Sequence, residues 1–168
     1  SFFNDPATTE LYTLSYTTLS DLLKHLLAQR ADLKIPTVAL CRGIYSYGDY
    51  DAIEPPVFTA GVETRVGVYC DIENFLCVAT DDGRFKTELT FQVQIYAIDG
   101  ALVYDQPPVP VADLSRNRRR DFFLRTLLTI PADLQPGQYR LKVAITDTQA
   151  NKIAQAVKNF QIVAEETP

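Results

Sequence analysis

The sequence predicts a mainly β protein, an antiparallel two-sheet sandwich preceded by one amphipathic helix. After residue 38, apolar and polar residues alternate with period two through short runs broken by Gly, Pro, Asn and Asp. Before that point, Leu19, Leu22, Leu23, Leu26 and Leu27 recur at helical spacing. No helix-period segment separates the later runs, which argues against a parallel α/β sheet. At 168 residues, one domain can bury roughly 70% of its unfolded surface without staples.

Residues 1–17 mix polar and aromatic side chains without a period and read as an arm. Thr18 is a good N-cap, with Asp21 at the capping-box position. The helix then runs to about Arg30, and Pro36 forbids its continuation. Its leucine stripe, with Leu22, Leu23 and Leu26 at the centre, needs an apolar surface to lie on. The composition shifts near residue 36, which divides the chain into an arm and packed helix (1–36) and a sandwich (37–168).

Val38–Tyr47 is rich in β-formers and is broken by Asp49-Tyr50-Asp51 and Glu54-Pro55-Pro56. Arg65–Glu73 alternates, with Val66, Val68, Cys70 and Ile72 on one face and Tyr69 on the other. Asp81-Asp82-Gly83 is a turn signal. Thr87–Ile98 buries Leu89, Phe91, Val93 and Ile95 and turns Tyr96 outward. Asp99-Gly100 predicts a type I′ hairpin into Ala101–Tyr104, which Pro107–Pro110 ends. Phe122–Ile130, a strand from Tyr139 through Ile145, and Ile153–Val163 complete about seven or eight strands.

Composition restricts the function. Sixteen Lys+Arg against 21 Asp+Glu give a net charge of −5, which opposes nucleic-acid binding. No apolar run approaches the roughly 18 residues of a membrane span. The start, Ser1 to Pro6, has neither a basic nor a long apolar leader region, and the absence of Met fits a segment trimmed from a longer precursor. There is no P-loop, G-x-G-x-x-G, H-E-x-x-H or G-x-S-x-G string. The lone histidine, His25, lies off the leucine stripe. The expectation is therefore no catalytic residue, no metal and no cofactor, with an enzyme or metal-binding protein as a minor alternative.

Four groups of residues could carry an interaction. Arg116, Arg118, Arg119 and Arg120 form a basic loop suited to carboxylate or a protein partner, or to internal pairs with Asp113 and Asp121. Tyr45, Tyr47 and Tyr50 surround Gly48 as an aromatic loop, which could stack on sugar rings, anchor a protein, or pack against the arm. Cys70 reads as a buried small hydrophobe. Pairing with Cys77 stays open, which would leave Cys41 free or bound to another chain. The acidic runs Asp49–Asp51 and Asp81–Asp82 lack calcium-loop spacing and read as turns.

Leu134-Gln135-Pro136-Gly137-Gln138-Tyr139 places a tyrosine just after a corner, where its hydroxyl can pin the crossover between sheets. The run Gly137–Asp147 with Phe160-Gln161-Ile162 resembles the last two strands of bacterial immunoglobulin-like sandwich modules. Phe58-Thr59-Ala60-Gly61 leading to Val66–Phe75 is similar to an early strand of them, and Arg118–Phe123 is a further match. Together these resemble an uncharacterised bacterial family of secreted or cell-surface modules with one helix before the sandwich. The likeness spans about residues 38–163. It implies an extracytoplasmic structural or protein-interaction module and carries no catalytic residue across. The alternative is a carbohydrate-binding module using the tyrosines. The implied partner is a protein, or else a polysaccharide, with self-association left open.

Overall fold

The computed structural model describes residues 31–165 together with Leu19, Leu22, Leu23, Leu26, Leu27 and Arg30. Eleven strands follow in order: β1 (Val38–Ser46), β2 (Asp49–Ala52), β3 (Val57–Thr59), β4 (Thr64–Ile72), β5 (Val78–Ala79), β6 (Phe85–Ala97), β7 (Leu102–Asp105), β8 (Val109–Ser115), β9 (Phe122–Ile130), β10 (Gly137–Asp147) and β11 (Lys152–Val163). They form two sheets. One has four strands in the order β2-β1-β4-β9. The other has seven, ordered β3-β11-β10-β6-β5, with β7 and β8 also paired to β6.

The arrangement is that of an immunoglobulin-like sandwich. β1, β4 and β9 make one sheet, while β6, β10 and β11 make the other, with β7 and β8 at its far edge. The core is the inner alternation of both: Val66, Val68, Cys70 and Ile72 from β4 face Val93, Ile95, Leu141, Val143 and Ile145 from β6 and β10. Fully burying a side chain of this kind contributes roughly 1.5–3 kcal/mol against leaving it exposed.

Two polar contacts fix the ends. The Tyr139 hydroxyl donates to the Gln135 carbonyl at 2.7 Å, and its ring stacks on Phe160 with centroids 5.5 Å apart. This is the corner pin that the sequence predicts. Asp147, wholly buried at the end of β10, was not foreseen. Its carboxylate accepts the backbone N–H groups of Leu76 (2.7 Å), Gln149 (3.1 Å) and Ala150 (3.0 Å). It thereby ties the loop after β4 to the β10–β11 turn.

Several expectations need correction. β8 lies where Pro107–Pro110 was expected to end the strand region. As an edge strand it tolerates Pro110, because one side of its backbone has no ladder to complete. The short β2, β3 and β5 were also unread. At the Asp99-Gly100 hairpin only Gly100 has positive φ (91°), and its N–H bonds the Ala97 carbonyl at 2.9 Å. A type I′ turn needs positive φ at both central residues, so the connection is instead a turn over Ala97–Gly100 closed by a glycine bulge.

The helix expected over Thr18–Arg30 falls largely outside the described residues, and no continuous helical element is established there. Leu19, Leu22, Leu23, Leu26 and Leu27 have helical backbone but are 44–59% exposed, so Leu22, Leu23 and Leu26 are not core residues in this structure. The β1–β2 hairpin occupies the outer face of the four-stranded sheet, and Gln92, Gln94 and Lys142 line that of the other.

Tyr139→Phe removes the corner pin and leaves the Gln135 carbonyl without its donor. It should lower the free energy of unfolding by about 1–2 kcal/mol with an unchanged β signature, read from urea denaturation followed by circular dichroism. An unchanged midpoint would show that the hydroxyl is idle.

Candidate functional site

The site grows from an irregularity in β1. Its pairing with β4 runs from Val38↔Cys70 to Cys41↔Gly67, and its pairing with β2 shifts register between Cys41 and Gly43 and again between Ile44 and Ser46. These bulges bend the β1–β2 hairpin across the outer face of the sheet. Gly67 makes room for it, since a Cβ there would sit 2.9 Å from Ile44 Cδ1. The tip turns at Gly48, whose φ of 70° suits glycine.

What the hairpin lies on is a second, smaller apolar cluster of Ala39, Cys41 and Tyr69, flanked by Ile44, Tyr50 and Phe123. Tyr69 is the anchor. Its ring is sandwiched between Tyr50 (4.2 Å) and Phe123 (5.5 Å), both stacked. Its hydroxyl donates to Asp71 Oδ1 and accepts the Gly48 N–H at 2.8 Å. Alternation correctly placed Tyr69 on the outward face, but it is fully buried there, because a second layer covers it. Tyr69 is thus not exposed; it anchors the hairpin that carries Tyr45, Tyr47 and Tyr50.

Of the three loop tyrosines, Tyr50 is committed to that stack, while Tyr45 and Tyr47 are 67% and 46% exposed. The Tyr45 ring lies close over Gly43, where a Cβ would come within 2.8 Å of its Cζ. The Tyr47 phenol is raised above its ordinary pKa by partial desolvation and by the carboxylates of Asp71, Asp121 and Glu73. The hairpin tip is therefore within electrostatic reach of Asp121, the last residue before β9 and the end of the arginine loop.

The four arginines divide in two. Arg119 makes a fork-on-fork pair with Asp113 (Nε–Oδ2 2.9 Å, Nη2–Oδ1 3.2 Å), and Arg118 stands over the Phe85 ring at 5.3 Å. Arg116 and Arg120 are exposed and have no ion-pair partner among the described residues. The internal pairing with Asp113 is realised by Arg119, while Arg116 and Arg120 are exposed.

Next to this loop, between the Thr80–Arg84 turn and β8, lies a groove of ≈ 550 Å³. Most of its charges are paired: Arg84 with Asp82, Lys86 with Glu88 (2.6 Å), and Asp113 with Arg119. Hydrogen bonds from Arg84 and Thr80 hold the Asp82 carboxyl down to about 2. The acidic run at 81–82 is a turn, as the sequence predicts, with Gly83 at φ 78°. Asp51, in the other acidic run, faces Arg42 at 3.6 Å.

Cys41, Cys70 and Cys77 are all buried and unpaired. Cys70 lies on the inner face of β4, and Cys77 shares a hydrogen bond with Thr87 at 3.0 Å. No group of three or more His, Cys, Asp or Glu side chains among the described residues has metal-site geometry. His25 lies outside the described residues. Among those same residues, no helix is long and apolar enough to cross a membrane.

No family model matches the chain, and no curated protein matches it. Solved structures resemble it in outline. An immunoglobulin-like protein from Pseudomonas aeruginosa shares 16% identity over 80% of this chain and 98% of its own, with a TM-score of 0.37. The C-terminal domain of wzt shares 14% over 83% of this chain and 77% of its own, at 0.42. A β-glucuronidase from Bacteroides uniformis shares 12% over 76% of this chain, at 0.39, and the match spans only 12% of that enzyme. At this similarity nothing about activity transfers, and the sandwich rests on its own strand pairing.

Tyr69→Phe should cost about 1–2 kcal/mol and raise hydrogen exchange at the Gly48 amide before that of β4. Equal protection at Gly48 would remove the anchor. A pH effect also follows. Burial, with Asp51 nearby, pushes the Cys41 thiol up to about 11, and burial with the bond to Asp71 pushes the Tyr69 phenol up as well. The unfolded chain releases both protons first, so stability is complete at neutral pH and falls as pH rises past about 9. Urea midpoints at neutral and alkaline pH should show that decline, and a midpoint independent of pH would contradict it.

Proposed function

We propose that this chain is a non-enzymatic protein-interaction module of an extracytoplasmic bacterial protein, and that it engages its partner through Tyr45, Tyr47, Arg116 and Arg120. The observation that carries the reading is the anchoring of the tyrosine hairpin: the Gly48 N–H is held by a fully buried tyrosine hydroxyl. Large exposed aromatics on an immobilised hairpin lose little conformational entropy when they bind. Tyr and Arg are also the residue types over-represented among interface hot spots. Arg118 and Arg119 are also exposed but already engage Phe85 and Asp113, so the proposed contact leaves them out. The extracytoplasmic setting rests on the family resemblance of the sequence. The non-enzymatic reading rests on the single histidine and the missing catalytic strings.

One observation favours a second reading. The hydroxyl end of the Tyr45 ring approaches Gly43 and the residue is 67% exposed, which leaves aromatic surface on which a sugar ring can stack. A carbohydrate-binding module would then use Tyr45 and Tyr47, with Tyr50 acting as support.

The test captures partners from the envelope fraction on immobilised wild-type domain, R116E/R120E and Y45A/Y47A. A stoichiometric protein recovered by the wild type should fall about tenfold or more with each double variant, since each removes a pair of hot-spot side chains. Equal recovery by all three would move the contact elsewhere. No protein at all, with a polysaccharide-induced change in Tyr emission that Y45A/Y47A abolishes, would replace this reading by the second.

A further inference from the structure

Among the described residues, the sheet edges other than β9 carry a device against pairing with another chain or are very short. β2 is four residues long, holds Asp49 and Asp51, and shifts register twice against β1. β7 is equally short and bulged against β6. β8 contains Pro110. β11 is partly covered by β3, and over its open stretch Lys152 and Lys158 tie down the neighbouring segments at Ala31 and Glu54. Short length, charge, proline and bulges are the usual protections of an edge.

β9 has none of these. It pairs with β4 in unbroken register from Ile72↔Phe122 to Thr64↔Ile130, and among the described residues no strand lies on its other side. Its sequence, Phe-Phe-Leu-Arg-Thr-Leu-Leu-Thr-Ile, holds no Pro or Gly and a single charge. That charge does not guard the edge, because Arg125 Nη1 donates to the Ile44 carbonyl at 3.4 Å, back across the sheet. Leu127 stands on the outer face, 62% exposed.

We propose that β9 is a self-association edge: two copies pair antiparallel through Phe122–Ile130 about a two-fold axis at Thr126. The strand is complementary to itself in that register. Phe122 meets Ile130, Phe123 meets Thr129, Leu124 meets Leu128, Arg125 meets Leu127, and Thr126 meets its own copy. Inner and outer faces stay continuous, and the aliphatic stem of Arg125 covers the exposed Leu127 of the other copy. A slip toward Arg125 sets two guanidinium groups face to face, and a slip the other way drops Phe122 and Phe123 from the pairing. The contact joins two four-stranded sheets into one and is isologous, so it closes at the dimer. It does not involve the tyrosine hairpin tip or Arg116 and Arg120, so its failure and that of the interaction surface are separately visible.

The experiment is sedimentation equilibrium of the intact chain over about three decades of concentration around the micromolar range. The wild type should show a reversible monomer–dimer equilibrium. Leu127→Lys places two lysines opposite two arginines and should weaken dimerisation about tenfold or more. R125E/L127K sets Glu opposite Lys and should restore it. T126C should form an interchain disulfide on oxidation, which the other two registers do not bring into reach. A wild type that stays monomeric throughout overturns the proposal. So does a dimer that L127K leaves intact, or one that neither R125E/L127K nor T126C supports in this register.

Discussion

The structure depends on one constraint, the strict alternation of side chains along β4, β6 and β10. Val68, Val93, Leu141, Val143 and Ile145 have no exposed surface and meet between the sheets. Period two then leaves the odd set of each strand outward with no freedom to choose. On β6 and β10 that set is polar, as in Gln92, Gln94, Tyr96 and Lys142, and it satisfies itself. Both glutamines donate to Asp105 (3.0 and 3.1 Å), and the Tyr96 hydroxyl donates to Gln94 (3.1 Å). On β4 and β1 it includes the apolar patch of Ala39, Cys41 and Tyr69, which would be a liability if uncovered. The hairpin covers it, so the candidate surface is a by-product of protecting the back of a sheet.

This two-layer design separates buried aromatics from exposed ones. Tyr69, Tyr50 and Phe123 are stacked and buried or half-buried, and Tyr45 and Tyr47 ride above them. The arginine loop is also divided, with Arg119 tied to Asp113 and Arg116 and Arg120 pointing out. In both places neighbours of identical type in the sequence do opposite work, and only the partner of each side chain tells them apart.

That division marks how far the sequence could be read. β9 has the bounds that its composition suggested, and the Tyr139 corner was legible because its donor and acceptor are four residues apart. Features that depend on distant partners were not legible. Nothing in the sequence near Asp147 marks its carboxylate as buried, yet it accepts the N–H of Leu76, 71 residues away. Tyr69 was assigned to the correct face and the wrong environment, since alternation names a face but not what lies on it. Small and apolar Ala39, Cys41 and Gly67 on that same outward face were the available signal of a covering layer. β8 was hidden by prolines that an edge tolerates. The leucine stripe shows the converse, a clear helical period whose apolar face finds no seat in the described structure.

The pairing of β3 with β11 has a mechanical side. These two strands run parallel, joined at Val57↔Gln161, Phe58↔Ile162 and Thr59↔Val163. Tension along the chain draws the segment before β3 and the segment after β11 in opposite directions along the strand axes. The bonds between them are then loaded in shear, all at once, rather than peeled one after another. A hairpin under the same pull would unzip, whereas this short parallel contact breaks as a unit once the tension has passed β1 and β2 and reaches it.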